Sequence, residues 1–201
     1  MTAIKLTKNE LRSQQTRLTQ FQRYLPTLQL KKAMLQFEVN QVEMEITILH
    51  EEFAESRLQV EAFAPLLLER LSCDVPYYAE VLHVNKRYEN IAGVEIPLFE
   101  EVVFRPTEYF VLDTPAWTDQ AIVLLQNFVT IREKISVTEE KKRALEKELR
   151  EVSIRVNLFE KVLIPRSLEN IKKIRIFLAD QQLAAVAQAK VAKKKLSKRS
   201  A

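Results

Sequence analysis

Two long heptad repeats, separated by a short stretch of different character, constrain this chain more than any other feature. The first seam is Leu11, Gln14, Leu18, Phe21, Leu25, Leu28, Lys32, Leu35, Val39, Val42, Ile46, Leu49, Phe53 and Ser56. Eleven of those fourteen positions are apolar. The second is Leu124, Phe128, Ile131, Ile135, Thr138, Lys142, Leu145, Leu149, Val152, Val156, Phe159 and Leu163. Only a period of about 3.5 residues keeps one stripe turned toward a partner for so many turns, so both segments read as coiled-coil helices. Two such helices joined by a foldable insert pair most simply with each other. The predicted fold is mainly α: a long antiparallel two-helix coiled coil with a small β-hairpin between its helices.

Residues 1–73 are assigned to the first helix, 74–114 to the insert, and 115–201 to the second helix, all within one structural domain. Thr7 and Glu10 have the spacing of a capping box, which predicts the first helix start. Pro26 and Pro65 interrupt that helix, the first as a kink and the second as a kink or a stop. Thr114 followed by Pro115 predicts the second start, since a missing N–H costs nothing at the first helical position. Past Pro165 the apolar seam moves by one residue, to Ile164, Leu168, Ile171 and Leu178.

The insert is rich in strand formers. Val81–Val84 and Val94–Leu98 flank the chain's one glycine, Gly93, whose use is a hairpin tip needing positive φ. By period two, Val94, Ile96, Leu98, Val102 and Phe104 share one face, with Pro97 off it and at an edge. Residues 109–112 add a possible short strand, and Trp117 a packing anchor between hairpin and helices.

If residues near 70 face residues near 117, residue 8 faces roughly residue 179. Pro165 then lies within a turn of Pro26, predicting a bend shared by both helices, and Lys142 lies opposite Glu45. Beyond Asp180, the last acid, the chain turns alanine-rich and then basic, and it has no partner helix. An overhang of about 17 residues would reach about 25 Å.

Charge is concentrated in that end. The net charge is +4, yet residues 190–201 hold six basic groups and no acid, leaving the rest of the chain at −2. Three readings of the tail stand: a solvated terminus, a nucleic-acid contact that lacks aromatic interleaving, and insertion into a protein bore. One glycine is too few for a phosphate-cradling loop, so no nucleotide cofactor is expected. His50, His83 and the lone Cys73 have no metal-ligand spacing, and the paired glutamates read as solvated faces, so neither metal nor catalytic residues are expected. The single cysteine fits a reducing compartment. The opening residues lack an apolar core, and no run of about 18 apolar residues occurs, so neither a signal peptide nor a membrane span is expected.

Several stretches resemble the D subunit of V-type and archaeal-type rotary ATPases, especially its chlamydia-like bacterial branch. They are Arg155-Val156-Asn157 with Glu160, Ile164-Pro165, Ile171 and Ile174; the lysine-rich 190–196; the opening 6–11; the hairpin 88–97; and the lead-in 112–117. Residues 24–35 depart from the glycine-containing basic stretch that many members carry in the first helix. The resemblance implies the central stalk, a non-catalytic rotor shaft coupling ATP synthesis or hydrolysis in the head to proton or sodium transport. It implies the catalytic and non-catalytic head subunits (A and B), the small F stalk protein and a membrane-ring socket subunit as partners. The chain would sit peripherally on the cytoplasmic side of the membrane, without inserting and without binding nucleic acid. Lys190, Lys193, Lys194 and Lys195 become candidates for the head bore, and Val94, Ile96, Leu98, Val102 and Phe104 for the small stalk partner. The alternative function is a coiled-coil adaptor or nucleic-acid-associated arm that does not rotate.

Overall fold

The structure, a computed structural model, describes residues 4–65, 75–106, 108 and 114–199. For 196–199 only the backbone is described. Its elements are α1 (Lys8–Phe63), α2 (Val75–Tyr78), β1 (Val81–Ile91), β2 (Val94–Phe104), α3 (Thr118–Leu158) and α4 (Ile164–Arg199), with a π-helical turn, Phe159–Leu163, between the last two. The fold is mainly α with one antiparallel two-stranded hairpin. The chain divides into two compact units, one of Met1–Lys31 with Glu151–Ala201 and one of Lys32–Arg150.

In the unit of residues 32–150, α1 and α3 pair antiparallel. Phe53 stacks on Phe128 with ring centroids 4.6 Å apart, while further along α1 Glu45 meets Lys141 at 3.2 Å and Glu43 meets Lys142 at 3.0 Å. Every heptad position from Leu11 to Ser56 and from Leu124 to Leu163 is buried or half-buried. Leu35 and Leu145 are sealed completely. Lys142 therefore takes Glu43 rather than Glu45, and its neighbour Lys141 takes Glu45. A seam defined by apolar periodicity leaves its flanking ion pairs free to settle a fraction of a turn away.

The helix ends differ in detail from the sequence expectation. Thr7 caps α1, its hydroxyl accepting the Glu10 N–H at 3.3 Å. The Glu10 carboxylate does not close the box; it accepts from the Gln14 amide at 2.8 Å. Regular α-helix stops at Phe63, two residues before Pro65, as the restricted backbone ahead of a proline requires. Residues 66–74 lie outside the described residues. So do Tyr109–Leu112, on which a third strand was expected. α3 starts at Thr118 rather than Pro115, because the Pro115 carbonyl closes a tight turn with the Thr118 N–H at 3.1 Å. The Trp117 carbonyl then accepts the first helical bond, from Ala121. Trp117 packs with Leu125 against a small core of Val75, Tyr78, Ala121 and Ile122.

The two prolines are handled unequally. α1 continues through Pro26. Ahead of Pro165 the helix widens into the π turn, in which the Ile164 N–H donates to the Phe159 carbonyl five residues back. Such a turn inserts one extra residue and rotates all that follows. The seam consequently moves by one, and beyond Leu163 the buried positions are Ser167, Asn170, Ile171 and Ile174. Leu168, expected on the seam, is 49% exposed. Phe159 packs edge-on to Phe21 at 5.3 Å, which places the irregular turn within about two helical turns of Pro26 along α1.

The hairpin turns at Ala92 and Gly93, both with positive φ (52° and 82°), as a two-residue type I′ turn demands. Asn90 steadies it by accepting the Gly93 N–H at 2.9 Å.

Candidate functional site

The hairpin face expected from period two is broken in the structure. Asn85 pairs with Glu101 but Lys86 pairs with Phe99, so Glu100 is an extra residue in β2. A bulge of one residue exchanges the two faces beyond it. Val94, Ile96 and Leu98 therefore share one face, and Val102 and Phe104 fall on the other. Burial likewise runs consecutively along β2: Ile96 and Pro97 are buried, Leu98 and Phe99 half-buried. Pro97 is thus no exposed edge residue; it pairs with Tyr88 and is enclosed.

What encloses this stretch is the helix pair of the same unit. Pro97, Leu98 and Phe99 border a cavity of about 450 Å³ together with Glu45, Leu49 and Glu52 of α1 and Lys134, Val137 and Lys141 of α3. Lys86 bonds Glu140 at 2.6 Å, and the Lys134 ammonium sits 5.5 Å from the Phe99 ring centroid. α3 accordingly buries a second row beside its seam, with Val137 at 2% exposure. That row, and the tethers Lys86, Lys134 and Glu140, escaped the sequence reading. Lys134, Val137 and Lys141 are spaced three and four apart on α3, but two of the three are charged, so no apolar periodicity marked the row.

At the start of the hairpin, Arg105 lies over the Tyr77 ring at 4.5 Å and bonds its hydroxyl at 2.7 Å. That hydrogen bond, with the Glu80 charge adding to it, holds the Arg105 guanidinium above its ordinary pKa. Lys142 is likewise raised, first by its hydrogen bond to Glu43 and then by the charges of Glu43 and Glu146.

A second unassigned surface lies on α1. Met34, Phe37, Met44 and Ile48 follow each other at intervals of three, seven and four residues, and all are between 48% and 67% exposed. They lie nearly opposite the buried seam positions Leu35, Val39, Val42 and Ile46 around the helix. Gln41 stands within this exposed row, between Phe37 and Met44.

In the unit of residues 1–31 with 151–201, the basic end is exposed as far as Lys195. From Ala179 through Lys195 every residue of α4 is exposed, including Leu183, Val186 and Val191, while the backbone remains helical to Arg199. Lys190, Lys193, Lys194 and Lys195 all stand on this stretch, spread around more than one face. Among the described residues, no helix is long and apolar enough to cross a membrane, and no group of three His, Cys, Asp or Glu is placed to hold a metal.

Paired heptad helices, a hairpin laid on them and an exposed basic stretch of helix define a helical assembly protein, built to present surfaces to other chains. Comparison with known proteins sharpens the class. The family model for the D subunit of ATP synthase matches residues 10–194. The V-type ATP synthase D subunit of Chlamydia abortus is 44% identical over 98% of this chain and 95% of its own length. The proteins of the same name from Chlamydia felis and Chlamydia pneumoniae are 43% and 41% identical over similar spans. The chain belongs to the ATP synthase D subunit family.

Proposed function

We propose that this chain is the central-stalk shaft of a V-type ATPase or ATP synthase, a non-catalytic rotor that couples the catalytic head to ion transport. The observation that carries the reading is α4 beyond Ala179, a continuous helix on which every described side chain through Lys195 is exposed. A single helix of that length is marginal in water unless a partner packs on it, and its described residues from Ala179 to Lys195 are all exposed. Small side chains at 184, 185, 187 and 189 suit rotation within a narrow sleeve. Lysines on several faces keep the field similar through a turn and favour an acidic collar. The head bore, formed by the A and B proteins, is the partner this end fits.

The small F stalk protein is assigned to the unit that carries the hairpin. Ile96 is spent on packing within the chain, whereas Val94, Leu98, Val102 and Phe104 stay partly accessible. The α1 stripe from Met34 to Ile48 extends the apolar surface open to such a partner. The shaft thus joins the head to a socket on the membrane ring, peripherally and on the cytoplasmic side.

Co-expression with the head proteins tests the reading. The full chain co-purifies with a nucleotide-hydrolysing hexamer. The chain cut after Ala179 remains folded but assembles poorly, with a deficit that depends on salt. Normal assembly and coupled turnover by the cut chain at every ionic strength would overturn the insertion model.

A further inference from the structure

The seam of the first unit turns polar just past the π turn. Gln14, Ser167 and Asn170 are 7%, 5% and 8% exposed; Ser56 and Thr138 are buried as deeply on the seams, but singly rather than as a group. They line an open cavity of about 490 Å³ together with Lys5, Glu10, Arg17, Phe21, Leu163 and Arg166. Polar burial of this kind costs stability unless each group is bonded.

Gln14 is bonded, through its amide to Glu10. Ser167 and Asn170 make no side-chain hydrogen bond among the described residues. Ser56, buried on the α1 seam, makes none either among the described residues; several threonines differ. Thr16, Thr19, Thr47, Thr130 and Thr138 each return their hydroxyl to the carbonyl four residues back. Ser167 does not, and the carbonyl four residues behind it belongs to Leu163, in the π turn. The extra residue of that turn brings Ser167 onto the seam, while Asn170, seven residues past Leu163, keeps the unshifted heptad place.

The rim is cationic. Lys5, Arg17 and Arg166 have no carboxylate partner among the described residues, and Glu10 is the one acid facing them in the cavity. The site therefore carries an excess of two positive charges over a floor of one hydroxyl and two amides.

The geometry points to this cavity as a binding site for a phosphate-class oxyanion, either free phosphate or the phosphate end of a nucleotide. Arginine forks and a lysine would neutralise the charge, while Ser167 and Asn170 would donate to oxygens that water now solvates. The site uses side chains, so it needs no glycine-rich loop. It does not depend on the shaft reading, since it lies wholly within one unit.

Calorimetric titration of the purified full chain at low ionic strength tests this, with inorganic phosphate, ADP and ATP as probes. One saturable site is expected, and tighter binding of ATP or of phosphate identifies which source the site takes. The pair Arg17→Gln and Arg166→Gln should weaken binding about tenfold or more, the loss expected for charge-assisted hydrogen bonds. Removing as much charge from the tail, with Lys193→Gln and Lys194→Gln, should leave affinity within about twofold. Asn170→Leu keeps every charge, so it should weaken binding up to about tenfold while raising the melting temperature of the unliganded chain. No saturable binding, or equal losses from rim and tail, would overturn the assignment. So would phosphate affinity left unchanged by Asn170→Leu in a folded chain.

Discussion

Ile96→Ala is the sharpest probe of how the hairpin is held. Ile96 is fully buried, and truncation to alanine removes three carbons from that environment. At about 0.8 kcal/mol per buried methylene the transfer loss is about 2.4 kcal/mol. The cavity left behind brings the cost to about 3 kcal/mol, inside the range measured for such truncations. That energy attaches the hairpin to the unit, so its loss should appear as easier local opening. Hydrogen exchange read at the amides between β1 and β2 should accelerate about a hundredfold. Val94→Ala, at a half-buried position beside the turn, should change the same amides by less than about fivefold. Equal effects of the two substitutions would mean that β2 is only a decorated ribbon and that the consecutive burial of Ile96 and Pro97 has no energetic content.

Two further outcomes follow from local geometry. Ala92 holds φ at 52°, where asparagine or glycine is better accommodated, so Ala92→Asn should raise hairpin stability by about 1 kcal/mol, readable as slower exchange of the same amides. Lys142 has a pKa raised above its ordinary 10.5 by Glu43, so its contribution is complete below that value and lost as pH rises through the folded pKa. Lys142→Gln should therefore lower the urea midpoint at about pH 9 and matter less at about pH 11.5; an equal deficit at both would refute the ion pair's role.

The heptad seams were legible because coiled-coil packing is nearly one-dimensional, and every seam position from Leu11 to Ser56 is indeed withdrawn from solvent. The Gly93 turn was legible for a similarly local reason, since positive φ leaves few choices of residue. What could not be read depends on contacts between distant segments. The bulge at Glu100 follows from how β2 meets both its partner strand and the helices, and no spacing in Val94–Phe104 announces it. The exchange of partners between Lys141 and Lys142 turns on a fraction of a helical turn. Pro165 signalled a disturbance and a shift of the seam. That a π turn absorbs it, leaving Leu168 exposed and Ser167 buried, needed the three-dimensional path. The basic end was visible in composition, whereas the polar cavity near Gln14 looked like an ordinary lapse in the heptad.

Whether this chain turns inside a stationary head is tested most directly by watching it. In an assembled complex with Cys73→Ser, a single cysteine introduced by Tyr88→Cys, on an exposed residue of β1, offers a handle for a bead while the head is fixed to a surface. On addition of ATP a rotor shaft gives sustained rotation of the bead in one direction. Rotation should become rare or slip when α4 ends at Ala179. A bead that only fluctuates about one angle while the same complexes hydrolyse ATP would contradict the rotor assignment.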